Sequence, residues 1–164
     1  METTIESMRP EDWESVAAIY REGIATGDAT FETEIPAWEG WDAAHLACGR
    51  LVARRGQEVL GWAALSPISD RCAYSGVAEV SVYVSSKAQG QGLGKALLNR
   101  LVTESEEAGI WTLQAGVFPE NEASIGLHRA CGFRTVGVRR RLGKLEGRWR
   151  DVAMLERRSD KVGL

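Results

Sequence analysis

The sequence predicts a mixed α/β fold in which helices flank a central sheet, and three patterns support this prediction. Hairpin signals occur near both ends of the chain, around Gly56-Gln57 and within residues 143–147. Strand-like and helix-like segments alternate in the middle of the chain, which is typical of strand–helix–strand units. Apolar residues recur every three or four positions in two segments that begin at Trp13 and Leu93, which indicates amphipathic helices.

The N-terminal half is predicted to contain two helices and four strands. Pro10 and the acidic residues after it open the first helix, because proline and negative charge both favour a first helical turn. The second helix is expected to stop at Gly49, since glycine commonly ends helices. In chain order, the predicted elements are a strand at 4–8, a helix from 9 to 24, a helix at 38–48, and strands at 51–55, 59–65 and 77–84.

The C-terminal half begins with a glycine-rich turn at 89–94 and closes with a predicted hairpin. A helical stripe starts at Leu93 and ends near Gly109, and a shorter helix is stopped by Gly132. The predicted elements after the first of these helices are a strand at 113–118, a helix at 121–130, and strands at 134–140 and 148–155.

The length, net charge and cysteine content indicate a globular protein with reduced thiols. The 164 residues suit one domain over 1–164, and a formal net charge of −3 argues against a nucleic-acid partner, because duplex-binding proteins usually carry a basic excess. Cys48, Cys72 and Cys131 are too far apart for a disulfide framework or a zinc site, so we expect a cytoplasmic location and no bound metal. No signal peptide is visible and no apolar run approaches the ~20 residues that span a bilayer, so no membrane partner is expected.

The most informative segment is the strand–turn–helix that contains Gln89-Gly90-Gln91-Gly92-Leu93-Gly94. Glycine backbones can approach an anion closely, and the N–H groups at a helix start carry a partial positive charge, so this turn can hold phosphate. It is not a dinucleotide fingerprint, because Lys95 stands where the third glycine belongs. It is not a P-loop, because Gln89 and Ala96 occupy a required glycine and a required hydroxyl position. The pattern Q/R-x-x-G-x-G/A fits, and a plain glycine-rich turn is the alternative.

A second pattern, Asn121-x-x-Ser124-x-x-Leu127-His128-x-x-Cys131-Gly132-Phe133, follows further along the chain. Together with Gln89-x-x-Gly92-x-Gly94 it resembles the GCN5-related N-acetyltransferase (GNAT) superfamily, and the resemblance covers nearly the whole chain. It implies the GNAT fold, with a mixed, mostly antiparallel sheet of six to seven strands flanked by about four helices. It also implies acetyl-CoA as co-substrate and direct acetyl transfer to an amine.

Within the superfamily, the chain resembles the phosphinothricin, methionine sulfoximine and arsinothricin acetyltransferases. The similar segments are Ala-Thr-Phe-Glu-Thr-Glu at 29–34, Glu-Val-Ser-Val-Tyr-Val at 79–84 and Gly-Arg-Trp-Arg-Asp-Val at 147–152. This implies a small, glutamate-like amino-acid acceptor, a role in antimetabolite resistance, and a homodimer. Two departures leave the acceptor open: Val80 replaces a histidine of some relatives, and residues 70–74 lack the Arg-Pro-Phe run of the methionine sulfoximine enzymes.

The resemblance also implies which residues bind acetyl-CoA. The backbone of 82–84 would pair with the pantetheine arm like a neighbouring strand, and the glycine-rich turn would hold the pyrophosphate. Lys95 would add positive charge, and Asn121 matches a family position near the pantetheine. The implied residues are Val82, Tyr83, Val84, Gln89, Gly90, Gln91, Gly92, Leu93, Gly94, Lys95, Asn121 and Ser124.

Two residues are candidates for acid–base chemistry. An amine must lose a proton before it attacks a thioester, so a nearby group must accept that proton. Glu79 lies in the apolar segment 77–80 and is the candidate base, directly or through water; a surface carboxylate is the alternative. His128 stands where the superfamily often has a tyrosine, and an imidazole can protonate the leaving thiolate at neutral pH. A structural histidine is the alternative.

A zwitterionic acceptor needs a cation for its carboxylate and hydrogen-bond acceptors for its ammonium group. Arg71 can bind a carboxylate or phosphinate through two parallel hydrogen bonds, although it can also be a solvated loop residue. Phe31 and Glu32 match the family segment that lines the substrate mouth, within one chain or across a dimer. The basic run 139–141 is interpreted mainly as a solvated strand end, and contact with the substrate or the nucleotide phosphate is the alternative. The candidate substrate-binding residues are Phe31, Glu32, Arg71, Tyr74, Glu79 and Ser81.

Two other functions share these sequence features. A protein N-terminal or lysine acetyltransferase would have the same fold and co-substrate, with an open groove for a peptide. A non-catalytic acetyl-CoA-binding module would keep the turn without the chemistry, and the presence of Glu79 and His128 argues against it. A covalent route through Cys72 is not favoured, because no histidine lies near it in the sequence.

Overall fold

The computed structural model describes residues 1–164 and contains seven strands in one sheet together with four α-helices. The strands are β1 (Thr3–Ser7), β2 (Leu51–Arg55), β3 (Glu58–Pro67), β4 (Val77–Val84), β5 (Thr112–Val117), β6 (Arg134–Leu145) and β7 (Arg148–Arg158). The helices are α1 (Trp13–Ala25), α2 (Trp38–Ala44), α3 (Leu93–Glu107) and α4 (Glu122–Ala130). The sheet order is β1-β2-β3-β4-β5-β7-β6, and only the β4–β5 pair is parallel. The predicted fold class is confirmed.

Helix α2 is shorter than predicted: it ends at Ala44, whereas the sequence suggested residue 48. His45 already has an extended backbone, with φ −120° and ψ 150°. The guanidinium of Arg50 donates to the Leu46 carbonyl at 2.7 Å and to the His45 carbonyl at 3.0 Å. These bonds satisfy the carbonyls outside a helix, so the chain runs to β2 as an extended segment.

The C-terminal hairpin is longer than predicted, because β6 continues to Leu145 and β7 to Arg158. The turn is only Glu146-Gly147, with φ values of +49° and +81°, a hand that matches the twist of paired strands. Gly143, expected in the turn, lies inside β6, where a Cβ would come 3.1 Å from the Phe31 ring. The register of β6 on β7 shifts between Arg139 and Gly143.

Apolar side chains fill both faces of the sheet. On one face, the fully buried Leu97, Leu98 and Leu101 of α3 belong to the larger cluster. On the other, Trp41 and Trp62 pack with residues of α1. Each large apolar side chain buried in this way stabilises the fold by roughly 1.5–3 kcal/mol. No helix in the fold has both the length and the apolar character needed to cross a bilayer.

The alternation of β4 decides where its polar side chains point. Ala78 and Val80 belong to the cluster on the α3 side, whereas Tyr83 packs with the cluster on the α1 side. Because successive strand residues face opposite sides, Glu79 and Ser81 share the face of Tyr83.

Candidate active site

Strands β4 and β5 separate partway along their length, and this fork creates a cleft in the sheet. Their ladder joins only Val77–Glu79 to Thr112–Gln114, although β4 continues to Val84 and β5 to Val117. Beyond Glu79, β4 keeps its pairing with β3 but loses its partner on the β5 side. A cavity of about 850 Å³ opens at the fork. Small-molecule sites typically have volumes of about 300–1,000 Å³.

The glycine-rich turn forms one end of this cavity. Gly90 and Gly92 have φ values of +74° and +78°, a left-handed conformation that favours glycine. A Cβ on either residue would meet no atom within 4 Å, so the space above the turn is open. Gly92 precedes α3, and no side chain caps that helix, which leaves its first N–H groups available to an anion. Lys95 lines the same region, so these residues fit the pyrophosphate of a coenzyme.

The two glutamines of the turn have different environments. Gln89 lines the cavity, and its Nε2 donates to the Val84 carbonyl at 2.9 Å, which holds the turn against the end of β4. The Oε1 of Gln91 accepts a hydrogen bond from Arg55 at 2.6 Å, and Gln91 does not line the cavity. The side chain of Gln91 therefore anchors the turn to β2, so a coenzyme contact would fall to its backbone.

Along the wall of the cleft, side chains are used for packing. Val82 and Val84 pack against the α3-side cluster, and Tyr83 stacks on Trp62 with ring centroids 4.9 Å apart. Gly94 allows the turn to approach α4, since a Cβ there would lie 3.2 Å from Leu127. The backbone of 82–84 is left as the hydrogen-bonding surface of the wall.

Glu79 stands at the base of the fork, at the last paired position of β4. Burial raises the pKa of its carboxyl group, and no side-chain hydrogen bond or ion pair opposes that rise. A Cβ on Gly116 would lie 3.8 Å from the Glu79 Oε1 and 3.2 Å from the Val152 Cγ1. Gly116 thus keeps the space beside the carboxylate open, and a raised pKa suits a proton acceptor at neutral pH. The sequence analysis missed Gly116, although a glycine inside a predicted strand is a signal of close approach.

Tyr83 and Glu32 line the cavity, and Tyr20 packs against Tyr83 without lining it. The rings of Tyr20 and Tyr83 are 5.0 Å apart. Burial and the nearby Glu32 carboxylate raise the pKa of Tyr20, while burial and the neighbouring Tyr20 raise the pKa of Tyr83. Both phenols therefore stay protonated at neutral pH. Ser81 lines the cavity as well, and the substrate-binding roles of Glu32 and Ser81 stay predictions.

His128 lines the cavity from α4 and is 5% exposed. Its Nδ1 lies 2.7 Å from the Ser124 carbonyl, so the Nδ1–H donates and Nε2 carries the lone pair. Burial lowers the pKa of His128, although the bond to Ser124 partly opposes that effect. The neutral imidazole is favoured at pH 7, which opposes the predicted role of His128 as a proton donor to the thiolate. That role stays a prediction.

Asn121 joins α4 to the loop that follows α1. Its Oδ1 accepts from the Ser124 N–H at 3.2 Å, and its Nδ2 donates to the Asp28 carbonyl at 3.1 Å. Asn121 and Ser124 both line the cavity, and their contact with the coenzyme stays a prediction. Asn121 therefore has a structural task alongside its predicted contact with the coenzyme.

Arg150 holds the same loop from β7, a role that the sequence did not reveal. Its Nη1 donates to the Gly27 carbonyl and its Nη2 to Asp28 Oδ1, both at 2.8 Å. The guanidinium carbon lies 3.9 Å from the centre of the Phe118 ring. Phe118 in turn contacts Phe31 edge-on, with centroids 4.9 Å apart. These contacts place Phe31 in the cavity wall, and its role in substrate binding stays a prediction.

Arg71 and Tyr74 do not line the cavity, in contrast to their predicted role. A short 3-10 turn at Cys72–Tyr74 carries them away from the fork, ahead of the start of β4. There the Arg71 guanidinium lies 5.7 Å from the Tyr74 ring, which is 46% exposed. Both residues therefore lie at the surface of this chain, and their substrate-binding role stays a prediction.

The cavity therefore combines an anion-binding turn, a free strand edge, a buried carboxylate and neutral hydrogen-bonding groups. That combination can bind a coenzyme that contains a nucleotide and can transfer a proton next to the coenzyme's reactive group.

Known proteins are similar to this chain in sequence and in fold. A model of the acetyltransferase (GNAT) family matches residues 11–133. The chain is 38% identical to the phosphinothricin N-acetyltransferase of Alcaligenes faecalis, across 94% of this chain and 81% of that protein. It is 30% identical to the L-methionine sulfoximine/L-methionine sulfone acetyltransferase of Pseudomonas paraeruginosa, across 95% and 94%. The crystal structure of a GNAT superfamily phosphinothricin acetyltransferase from Sinorhizobium meliloti in complex with AcCoA matches with a TM-score of 0.88 and 32% identity, across 99% of this chain and 91% of that one. With this motif order, this forked sheet and these relatives, the chain belongs to the GNAT family of acetyltransferases.

Proposed function

We propose that residues 1–164 form one N-acetyltransferase domain that uses acetyl-CoA to acetylate the α-amine of a small amino-acid-like acceptor. The observation that carries this proposal is the fork between β4 and β5, with Glu79 at its base and the glycine-rich turn at its end. Relatives that act on phosphinothricin and on methionine sulfoximine support the acceptor class. The biological role is the detoxification of an amino-acid antimetabolite.

Acetyl-CoA supplies the acetyl group as an activated thioester. The backbone of 82–84 and the N–H groups at the start of α3 orient the thioester toward Glu79. A free α-amine has a pKa near 8, so it is mostly protonated at pH 7. Glu79 accepts that proton, directly or through one water, and Ser81 provides a hydrogen-bonding group on the acceptor side. The leaving thiolate can then be protonated by solvent or, as the sequence suggested, by His128.

A thiol-release assay tests this proposal. The acceptor panel contains phosphinothricin, methionine sulfoximine, methionine sulfone, arsinothricin, ordinary amino acids and several peptides. We expect release of free coenzyme A with at least one small amino acid and not with peptides. Release with peptides alone would indicate a protein acetyltransferase. Coenzyme binding by calorimetry without release from any acceptor would indicate a binding module.

The His128 role has its own test. A His128→Phe variant that keeps the wild-type pH profile would remove the imidazole from proton transfer. If the wild type loses activity as pH rises through the His128 pKa and His128→Phe lacks that loss, the donor role is supported, because only the protonated imidazole can donate from Nε2.

The proposal includes a homodimer in the cytoplasm. β6 is the outermost strand of the sheet, and Val136 and Val138 on it are 54% and 51% exposed, with Trp149 of β7 at 56%. An outer strand with exposed apolar side chains is a site for pairing with another chain. Light scattering should show a dimer for the wild type and a monomer for Val138→Asp. All three cysteines are unpaired, which supports a reducing compartment.

A further inference from the structure

Arg139 is the one cation on the acceptor side of the cavity. Six charged residues line the cavity: Glu22, Asp28, Glu32, Glu79, Lys95 and Arg139. Lys95 lies in the first turn of α3, at the phosphate end. Arg150 contacts Asp28 and Glu120 and is 6% exposed, so its charge is already matched. Arg139 makes no ion pair or side-chain hydrogen bond, so its guanidinium is available to a ligand.

The sheet register brings Arg139 to the same face as Glu79. Arg139 lies directly opposite Val152 in the β6–β7 ladder, so their side chains share one face. The Val152 Cγ1 and the Glu79 Oε1 both lie within 4 Å of the position that a Cβ of Gly116 would occupy. The floor of the cavity therefore runs from Glu79 across Gly116 and Val152 to Arg139.

A local irregularity of β6 follows Arg139 immediately. The register shifts between Arg139 and Gly143, and Arg141 has a φ of +46°, which is uncommon for a residue with a side chain. The N–H of Arg141 donates to Asp151 Oδ1 at 2.8 Å, which fixes this conformation. The irregularity lets Leu142 as well as Arg139 line the cavity, although they are an odd number of residues apart.

We propose that Arg139 binds the negatively charged side-chain group of the acceptor, so that the enzyme selects acceptors with an acidic side chain. The inference rests on the proposed function. Glu79 and Glu32 attract the ammonium group at one side of the cavity, and Arg139 attracts the acid group at the other. A guanidinium can hold a phosphinate or carboxylate anion with two parallel, charge-assisted hydrogen bonds. A neutral sulfone carries no negative charge, so its hydrogen bonds to the guanidinium are weaker.

The test compares two acceptors that differ in side-chain charge: phosphinothricin, which has an acidic side chain, and methionine sulfone, which has a neutral one. The variants are Arg139→Gln and the matched control Arg140→Gln, an exposed neighbour outside the cavity. For Arg139→Gln, we expect the ratio of kcat/KM for phosphinothricin to that for methionine sulfone to fall by about tenfold or more, the factor that a charged hydrogen bond supplies. Arg139→Lys should restore part of the ratio, and the KM for acetyl-CoA should not change.

Each other outcome overturns the inference. An equal loss for both acceptors would mean that Arg139 binds the α-carboxylate, and a raised KM for acetyl-CoA would mean that it binds the coenzyme. A wild-type preference for methionine sulfone, or an equal effect of Arg140→Gln, would remove the selectivity role. These outcomes all require an active wild type, whereas a wild type that acetylates neither acceptor nor any other member of the panel would contradict the proposed function itself. Light scattering of Arg139→Gln checks that the oligomeric state is unchanged.

Discussion

Replacing Arg150 with methionine should loosen the loop between α1 and α2, because one guanidinium ties that loop to the sheet. The side chain is 6% exposed, and its bonds to the Gly27 carbonyl and to Asp28 are both 2.8 Å long. Its guanidinium carbon also lies 3.9 Å from the centre of the Phe118 ring. Methionine retains much of the aliphatic bulk but none of these polar contacts.

The magnitude follows from the three contacts. A hydrogen bond from a charged donor to the Gly27 carbonyl contributes about 1.5–3 kcal/mol, and a desolvated cation–π contact contributes about 1–2 kcal/mol. Asp28 is 54% exposed, so its ion pair is screened and adds at most about 1 kcal/mol. Contributions of neighbouring contacts overlap, so we expect a net loss of about 2–4 kcal/mol in the free energy of unfolding.

Urea and thermal unfolding of the wild type, Arg150→Met and Arg148→Met measure that loss. Arg148 is an exposed arginine on the same strand and serves as the matched control. The expected decrease in Tm for Arg150→Met is about 5–15 °C for a domain of this size. The KM for the acceptor should rise more than that for acetyl-CoA, since the loop carries Phe31 and Glu32. If Arg150→Met were within about 0.5 kcal/mol of Arg148→Met, the typical range for surface substitutions, the loop would not depend on Arg150.

Three further outcomes are expected. Glu79→Gln should lower kcat by about 10²–10⁴-fold without changing the KM for acetyl-CoA. The wild-type rate should rise with pH through the raised pKa of Glu79. If Glu79→Gln kept the same rise in rate, or near-normal turnover, Glu79 would have no role in proton transfer. Gly92→Ala should weaken acetyl-CoA binding in calorimetry, because a φ of +78° costs an L residue about 1–2 kcal/mol; unchanged affinity would contradict the assigned anion site. Burial raises the pKa of Asp12, but the Arg54 hydrogen bond at 2.8 Å, the bond from the Arg9 N–H and the charges of both arginines together outweigh burial, so the pKa of Asp12 is lowered. The stabilisation from this carboxylate is therefore present above its unfolded pKa of about 4 and is lost as pH falls through the lowered folded pKa. Asp12→Asn should flatten that acid-dependent loss in urea unfolding, and a slope equal to that of the wild type would refute the ion pair's contribution.

The turn at 89–94 and the position of Glu79 could be predicted because both depend on local chemistry. Glycine at 90 and 92 permits a left-handed backbone whatever surrounds it. The alternation of a strand decides that Glu79 and Val80 face opposite sides. Acetyl-CoA as co-substrate was predicted only from the family resemblance, because no local residue pattern identifies it.

The arginines could not be assigned from the sequence, because their roles depend on which strands become neighbours. Arg71 precedes β4 in the chain and was predicted to bind the acceptor, yet a short turn directs it to the surface. Arg139 and Arg150 are far from Glu79 in the chain. Because β7 inserts between β5 and β6 in the sheet, Arg139 reaches the cavity and Arg150 reaches the loop after α1. The register shift in β6 that follows Arg139 has no signature in residue type or spacing.

The short β4–β5 ladder divides the sheet into a four-stranded half and a three-stranded half that share only three residue pairs. Few backbone bonds must break for the halves to part at this seam, so motion there costs less than global unfolding. A molecule that binds to both halves raises the free energy needed to separate them by its own binding free energy. Acetyl-CoA would thus stabilise the fold as well as supply the acetyl group. Its binding would be detected as slower amide exchange in the three-stranded half.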